Sequence, residues 1–461
     1  MQLGHHRREL GAFSDVLIAI LAYAILVRVH IGPFAAQTDS GIGLWYVALF
    51  PVIVALWWGL SVMVRRDLPY RLGGTAHEVL ETVSINAAGA VVLLALSLLA
   101  KEMAVSRLVV AGFPILSCLL NVSFRLLLRA WLAARRRNGW DVRHVLVVGP
   151  VDKLAELQPA LTRPDAGLRP VGLLLPIGAA LDARAPLPVL GDYAQLPEVL
   201  HSRVVDHVAV TTAVDDPSFR HIVQTALREG KTLWIMLDSF GARLMGQRGG
   251  GQVVVLSPPT DTVGLAFKRL MDIVVAAGAL VLASPFLLAA ALAILLQDGA
   301  PVIFRQRRIG LHGREFTCLK FRTMVRDAEA RRQALLARNE MTGPVFKMKG
   351  DPRVTPVGRI LRKFSIDELP QLWNVLRGDM SLVGPRPPLP DEVRQYGEPD
   401  FRRRLAFRPG LTCLWQVSGR NALSFEEWMA LDLRYVDNWS LWLDLAILLR
   451  TIPTVLFGSG M

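Results

Sequence analysis

Four long apolar stretches, near residues 12–31, 44–64, 79–100 and 107–128, give the chain its first organising pattern. Each is about long enough to cross a hydrocarbon core of roughly 30 Å. The connections between them differ in charge. Arg7-Arg8, Arg65-Arg66 with Arg71, and Arg129 with Arg135-Arg136-Arg137 are basic, whereas 32–43 contains no Lys or Arg and the 101–107 connection is very short. Basic loops stay on the cytoplasmic side, so residues 1–137 are expected to form four transmembrane helices with both ends of the bundle in the cytoplasm. The start, His5-His6-Arg7-Arg8-Glu9, runs into apolar sequence without a small-residue cleavage site, which predicts an uncleaved anchor.

From about 141 to 256 the period shortens. The β-branched runs His144–Val148 and His207–Val210 alternate with helical stretches such as 217–229, which predicts a parallel, Rossmann-like α/β domain over 138–260. Its first strand leads into Gly149-Pro150-Val151-Asp152-Lys153, with one glycine where a dinucleotide fingerprint has three. A structural or regulatory role is therefore expected for this domain. Gly246–Gly251 and Pro258-Pro259 mark a turn and linker into the third unit, residues 261–461.

That unit opens on a fifth apolar segment, 270–297, with Lys268-Arg269 before it and Arg305, Arg307 and Arg308 after it, so both ends read as cytoplasmic. Ser284-Pro285 lies near its centre, where proline removes a backbone hydrogen bond. The residues alone admit two readings: a helix-break-helix that enters and leaves one leaflet, or a kinked helix that spans.

Composition agrees with membrane embedding. Of 461 residues 52% are hydrophobic and only 20% charged, and Lys plus Arg exceed Asp plus Glu by 52 to 39, which suits anionic partners such as nucleotide diphosphates and lipid headgroups. Cys118, Cys318 and Cys413 are too scattered for a disulfide framework or a Cys-x-x-Cys metal site. No recognisable nucleic-acid module is present, and nucleic acid is not an expected partner.

The chemistry-bearing residues lie in the third unit. Ser365-x-x-Glu368 has the form of a capping box, followed by Leu369, Leu372, Trp373 and Leu376 at one-face spacing, so a helix is expected from about Ile366. Asp367 and Glu368 then either cap that helix or share its N-terminal field with a bound phosphate. Gly384-Pro385-Arg386-Pro387-Pro388 fixes the backbone on either side of one arginine, presenting either a preorganised phosphate fork or a solvated bystander after a helix stop. In Thr317–Thr323, alternation puts Leu319 and Phe321 on one strand face and Lys320 and Arg322 on the other. Arg402, Arg403, Arg404 and Arg408, interleaved with Phe401, Phe407, Trp415, Trp428, Trp439 and Trp442, have the mix found at membrane–water interfaces. Asp432, Arg434, Tyr435 and Asp437 lie on an amphipathic helix, either as solvated charges or as candidates to line a ligand site.

Through the 365–388 stretch, Lys268-Arg269-x-x-Asp272, Lys320-Phe321-Arg322-Thr323-Met324 and Ser418-Gly419-Arg420-Asn421, the chain resembles the bacterial sugar-transferase family, the large monotopic phosphoglycosyl transferases that load a hexose-1-phosphate onto undecaprenyl phosphate. The resemblance is dense over about 262–461 and architectural before that. It implies a re-entrant membrane helix broken at Ser284-Pro285 and fixed at the interface by Lys268, Arg269 and Asp272. It assigns Asp367 and Glu368 as the catalytic pair, with Asp367 attacking the sugar-bearing phosphate and holding a phosphosugar covalently. Arg386 would contact the nucleotide diphosphate, with Lys320, Arg322 and Arg362 as further substrate contacts. Because two anions meet in that step, a divalent cation, Mg2+, is expected at the pair, with Asp367 as ligand. The tail from Gly419-Arg420-Asn421 to Trp439-Ser440 is similar to initiators of exopolysaccharide and capsule synthesis, which implies UDP-glucose or UDP-galactose as donor and undecaprenyl phosphate as acceptor, in the bacterial inner membrane. Two other readings are a non-enzymatic membrane scaffold that senses a nucleotide, and an NAD-dependent sugar-modifying enzyme. The acidic pair and arginines weigh against the first, the missing glycines against the second. The sequence leaves the oligomeric state open, a homodimer included.

Overall fold

The computed structural model describes residues 5–31, 40–64, 75–99, 106–163, 166–179, 185–237, 252–256, 262–328, 330–331, 348, 350–396, 398–418 and 423–456. The connections carrying Arg65, Arg66 and Arg71, the Gly246–Gly251 stretch and Pro258-Pro259 lie outside them. The chain divides into two compact units, one of residues 1–145 and 150–170, the other of 146–149 and 171–461.

In the first unit the apolar stretches fold as α1 (His5–Ile31), α2 (Ser40–Val64), α3 (Thr75–Leu99) and α4 (Arg107–Arg137), around a core that includes Ala22, Ile53, Trp57, Ile85 and Phe113. Leucines, valines and phenylalanines such as Leu21, Val47, Leu94 and Leu119 face outward, as expected of helices whose solvent is apolar. Several polar residues are turned inward and paired there: Asp15 accepts from Arg125 (2.6 Å) and Ser61 (3.0 Å), and Arg129 pairs with Glu78 at 3.2 Å. Among the described residues five helices, these four and one in the second unit, are long and apolar enough to cross a membrane.

The second unit contains most of a six-stranded sheet in the order β3-β2-β1-β4-β5-β6, with β1 (Arg143–Val148), β2 (Leu168–Leu175), β3 (Val189–Asp192), β4 (His207–Val210), β5 (Thr232–Leu237) and β6 (Gln252–Leu256). The pairs β2–β3 and β4–β5 are parallel, and β6 runs antiparallel on the edge. Helices α5 (Leu196–Ser202) and α6 (Phe219–Arg228) cover it, packing Leu196, Ile222 and Ala226 against Leu146, Val148, Val208 and Leu233. The alternation legible in the sequence is thus an α/β sheet with the strand order of a doubly wound fold.

The fifth apolar segment forms one helix, α7 (Thr262–Asp298, 37 residues), about 55 Å long if straight. Helix continues through the Ser284-Pro285 step instead of stopping and restarting. The Ser284 hydroxyl donates to the Val281 carbonyl (2.7 Å), which Pro285 would otherwise leave without a donor, so the helical path survives the proline. Beyond α7 come the antiparallel hairpin β7 (Ile303–Ile309) and β8 (Glu315–Phe321), α8 (Pro356–Lys363), α9 (Gln371–Arg377), the parallel pair β9 (Ser381–Val383) and β10 (Gly410–Thr412), α10 (Phe425–Asp437) and α11 (Leu441–Leu456). Near its start α7 buries Ala276 against Leu372, Val375 and Val383; near its end it buries Ala290 and Ile294 against Phe321 and Leu361. Between these contacts Val281, Leu282 and Phe286 point away from the protein.

Candidate active site

The acidic pair sits in the joint between α8 and α9. Thr355 caps α8 by accepting from Gly358 N (3.0 Å), and Gly358 presses on the strand exit, where a Cβ would lie 2.2 Å from the Thr323 carbonyl oxygen. Arg362, one turn on, donates to Thr323 Oγ1 at 2.9 Å. The chain then turns through Ser365, at φ 56°, into a three-residue 3-10 turn, Ile366–Glu368, and α9 begins only after Pro370. The expected capping box at Ser365 does not form, because a helix started at Ile366 would need a Pro370 N–H for the Ile366 carbonyl and would drive the ring into that carbonyl. Asp367 and Glu368 therefore occupy a tight joint instead of the first turn of a long helix. Of the apolar residues after them, Leu372 is buried and Trp373 is exposed.

Two basic side chains, Lys320 and Arg362, converge on that joint. Lys320 Nζ of β8 donates to Glu368 Oε1 at 2.6 Å. Burial, with the adjacent Glu368 adding to it, pushes Asp367 up to about 6, against the opposing pull of Lys320 and Arg362. Burial also holds Arg362 below the usual guanidinium range, while Asp367 acts in the other direction. Just above neutral pH the joint thus holds a buried, ionised carboxylate whose charge is incompletely offset.

Arg386 is prepared differently. Its strand β9 enters Gly384, where a Cβ would lie 2.3 Å from the Arg408 carbonyl oxygen, so no larger residue fits. Four consecutive carbonyls are then held: Pro385 O by Gly410 N (2.9 Å), Arg386 O by Arg404 Nη2 (2.7 Å), Pro387 O by Arg308 Nη1 (2.7 Å) and Pro388 O by Ile309 N (2.9 Å). The guanidinium they present lies 5.1 Å from the Trp428 ring centre and 3.7 Å from Glu392 Oε2, with Nη1 lacking a hydrogen-bond acceptor. A shallow surface depression adjoins it, lined by Pro385, Pro388, Arg404 and Phe407 among others. Arg308 links the two constellations. Burial and Arg386 push it down to about 10, while Glu392 and Glu368 pull it up, so it lies within electrostatic reach of both. The sequence offered no signal for Arg308 or Arg404 as clamps, because each acts through a backbone carbonyl 79 or 18 positions away.

The other candidates are structural in their contacts. Arg322 leaves the Lys320 side and donates to the carbonyls of Asp298 (3.1 Å) and Gly299 (2.5 Å), closing the C-terminus of α7. Strand alternation fails there because Arg322 lies beyond the end of β8. Lys268 is buried between Asp444 Oδ2 (2.5 Å) and Val383 O (2.8 Å), and Asp272 Oδ1 accepts from Ser381 Oγ and Leu382 N. Arg269 caps α9 through the carbonyls of Val375 (2.6 Å) and Leu376 (2.7 Å). These three tie α7 to the rest of the protein, each through a protein partner. Asp432 is fully buried against Arg404, and Tyr435 donates to Asp444 at 2.7 Å. Arg402, Arg404, Phe407 and Trp428 are likewise engaged inside the protein, which corrects the interfacial reading of that set; Trp442 is exposed. Gly419, Arg420 and Asn421 lie outside the described residues.

Among the described residues no group of three or more His, Cys, Asp and Glu could hold a metal. Mg2+ does not need one, since it binds through one or two carboxylates and completes its octahedron with water and substrate phosphate. Adjacent Asp367 and Glu368, crowded enough to raise one of them, fit that donor set.

Comparison with known proteins adds a separate line of observation. Residues 263–458 match the family described as bacterial sugar transferase, and residues 69–226 match the one described as CoA-binding domain. The residues after β1 do not suit a pyrophosphate. Thr211 Oγ1 sits 1.9 Å from where a Gly149 Cβ would be, Pro150 has no N–H, and Val151–Glu156 is a 3-10 turn instead of a helix N-terminus. Over 197 residues the chain is 46% identical to the undecaprenyl-phosphate galactose phosphotransferase of Salmonella typhimurium, covering 42% of this chain and 41% of that one. It is 45% identical over 202 residues to the exopolysaccharide production protein ExoY of Rhizobium meliloti, covering 43% and 89%. It is 48% identical over 196 residues to the UDP-glucose:undecaprenyl-phosphate glucose-1-phosphate transferase of Caulobacter vibrioides, covering 41% and 69%. The match thus spans about two fifths of the Salmonella protein and most of the Rhizobium one.

Proposed function

The chain belongs to the bacterial sugar transferase family, and on that premise we propose that it transfers a hexose-1-phosphate from a UDP-sugar to undecaprenyl phosphate, releasing UMP. The observation that carries this is the convergence of Lys320 and Arg362 on the buried Asp367-Glu368 joint. In the first step a carboxylate oxygen of Asp367 forms a bond to the sugar-bearing phosphorus while the bridging P–O bond breaks and UMP leaves. In the second a phosphate oxygen of the lipid attacks the same phosphorus and the Asp367 carboxylate departs. Lys320 holds Glu368 and offsets the charge that gathers when diphosphate meets carboxylate. Arg386, locked through its backbone, offers a guanidinium fork to the diphosphate with little ordering cost. Mg2+ held by Asp367, with Glu368 beside it, would supply charge neutralisation and orient the diphosphate.

The membrane arrangement we favour has α1–α4 spanning and α7 entering and leaving one leaflet. Its support is that Lys268-Arg269 precede and Arg305, Arg307 and Arg308 follow the apolar segment, and that Ala276 and Ala290 of α7, on either side of Pro285, both pack on the same catalytic unit. The relatives' names point to glucose or galactose and to exopolysaccharide production; the basic flanks of the apolar segments support an inner-membrane protein that begins a polysaccharide with its catalytic unit on the cytoplasmic side. The test is UMP release by purified protein with a panel of UDP-sugars, with and without undecaprenyl phosphate. Lipid-dependent turnover with UDP-glucose or UDP-galactose is expected. Absence of UMP with every UDP-sugar in the presence of lipid and Mg2+ would overturn the reading.

A further inference from the structure

The sheet edge that faces the catalytic region is the amino edge. Asp206 immediately precedes β4, and Glu229, Gly230 and Lys231 immediately precede β5. Asp206, fully buried, takes both arms of the Arg314 guanidinium at 2.5 Å, and His312 Nε2 lies 3.9 Å away. Glu229 joins His201 Nε2 (2.8 Å) to Arg402 Nε (3.1 Å). Gly230, at φ +66°, lets the backbones meet: a Cβ there would stand 2.9 Å from Ala406 Cβ and 3.2 Å from the Arg403 carbonyl oxygen. The carboxyl edge, where folds of this order bind their ligands, is at the other end of these strands. The Rhizobium protein is matched over 89% of its length by 202 residues, 43% of this chain.

Arg314 closes the turn of the β7–β8 hairpin, and Lys320 lies on β8 six residues further on, paired across to Phe304. The opposite shoulder of that turn is fixed by Ile309 N on Pro388 O. We propose that the α/β domain acts as a charge clamp on this hairpin turn, with Asp206 as a positioning residue that holds β8, and so Lys320, in register with the Asp367-Glu368 joint. The second ion pair, Glu229 with Arg402, keeps the domain seated while the first grips the turn. The idea rests on the reading of Lys320 as a substrate contact, and its test has one arm independent of that reading.

The experiment uses full-length protein in detergent or nanodiscs, as Asp206→Asn, Arg314→Gln, the double variant and Arg314→Lys. Hydrogen exchange of the 315–321 amides and the KM for UDP-sugar are read together. Arg314→Gln takes the guanidinium fork from the fully buried Asp206 carboxylate, and Asp206→Asn takes the charged acceptor from the partly exposed Arg314, so β8 exchange is expected to quicken while α10 amides stay unchanged. KM should rise about tenfold, within the range a roughly 1 Å misplacement produces; a smaller active fraction would lower kcat and leave KM alone. The double variant should recover most of both, and Arg314→Lys, which keeps charge but not the fork, should fall between. Unchanged β8 exchange and KM in folded Arg314→Gln would overturn the clamp, as would a double variant no better than either single. Should the singles not fold, Arg314→Lys with wild-type exchange and KM would overturn it equally. A β8 exchange response in protein that releases no UMP with any UDP-sugar upholds the clamp and sinks the reading of the site instead.

Discussion

Lys320 Nζ and Glu368 Oε1 stand 2.6 Å apart, joining a β-strand to a helix–helix joint 48 residues later in the chain. That contact brings a fixed positive charge to two adjacent carboxylates, one of which is pushed up by burial and by its neighbour. Lys320→Met should lower turnover by about 10²-fold, the usual loss when a charge aimed at a developing anion is removed. The measure is UMP release at saturating UDP-sugar. Turnover within twofold of wild type would mean that Lys320 only ties β8 to Glu368.

Arg386→Lys should raise KM for UDP-sugar with a smaller effect on kcat, because an ammonium cannot reproduce the bidentate fork, although the backbone clamp remains. Steady-state kinetics over a range of UDP-sugar concentrations separates the two constants. Equal loss in kcat with unchanged KM would remove Arg386 from ground-state binding.

Arg404 should behave as a stability residue. Arg404→Leu strands the fully buried Asp432 carboxylate and frees the Arg386 carbonyl, so destabilisation of about 3–5 kcal/mol is expected. Pairing it with Asp432→Leu should recover most of the loss in thermal unfolding. No recovery would show that the ion pair is not the unit being broken.

Lys231 gives the protein a pH dependence on the alkaline side. Burial pushes its ammonium down to about 8, with Glu229 pulling the other way. The folded chain sheds this proton near pH 8 and the unfolded chain near 10.5, so between those values the unfolded state binds more protons and stability rises with pH. Lys231→Met should raise the unfolding temperature at pH 7, by relief of about 3 kcal/mol, and the difference from wild type should shrink toward pH 10. A difference independent of pH would mean that Lys231 is not buried as an ammonium.

The α7 arrangement predicts same-side labelling. With the native cysteines removed, Arg307→Cys, at a side chain 82% exposed, and Arg137→Cys should both react only with a cytoplasmic reagent. Periplasmic labelling at 307 alone would mean that α7 spans.

How much of this was legible beforehand follows from the range of each signal. The apolar stretches, the parallel strands and the motifs carrying Asp367, Lys320 and Arg386 are local patterns, and local patterns can be read from sequence. The start of α9 was misread because Ser365-x-x-Glu368 outweighed Pro370, though the proline decides where helix can resume. The contacts of Arg322 were not legible because alternation was carried one residue past Phe321, where β8 ends, and its acceptors are the carbonyls of Asp298 and Gly299. Arg308 and Arg404 had no sequence signal, since their acceptors are distant backbone carbonyls.

The central claim is that Asp367 carries the phosphosugar, and intact-protein and peptide mass spectrometry test it most directly. Wild-type protein incubated with UDP-sugar and Mg2+, without lipid acceptor, should release UMP in a stoichiometric burst and carry a hexose-phosphate on the peptide containing Asp367. Asp367→Asn, which keeps the shape but removes the attacking anion, should show neither. Active protein with no burst and no adduct would contradict the two-step account and indicate direct attack by the lipid phosphate.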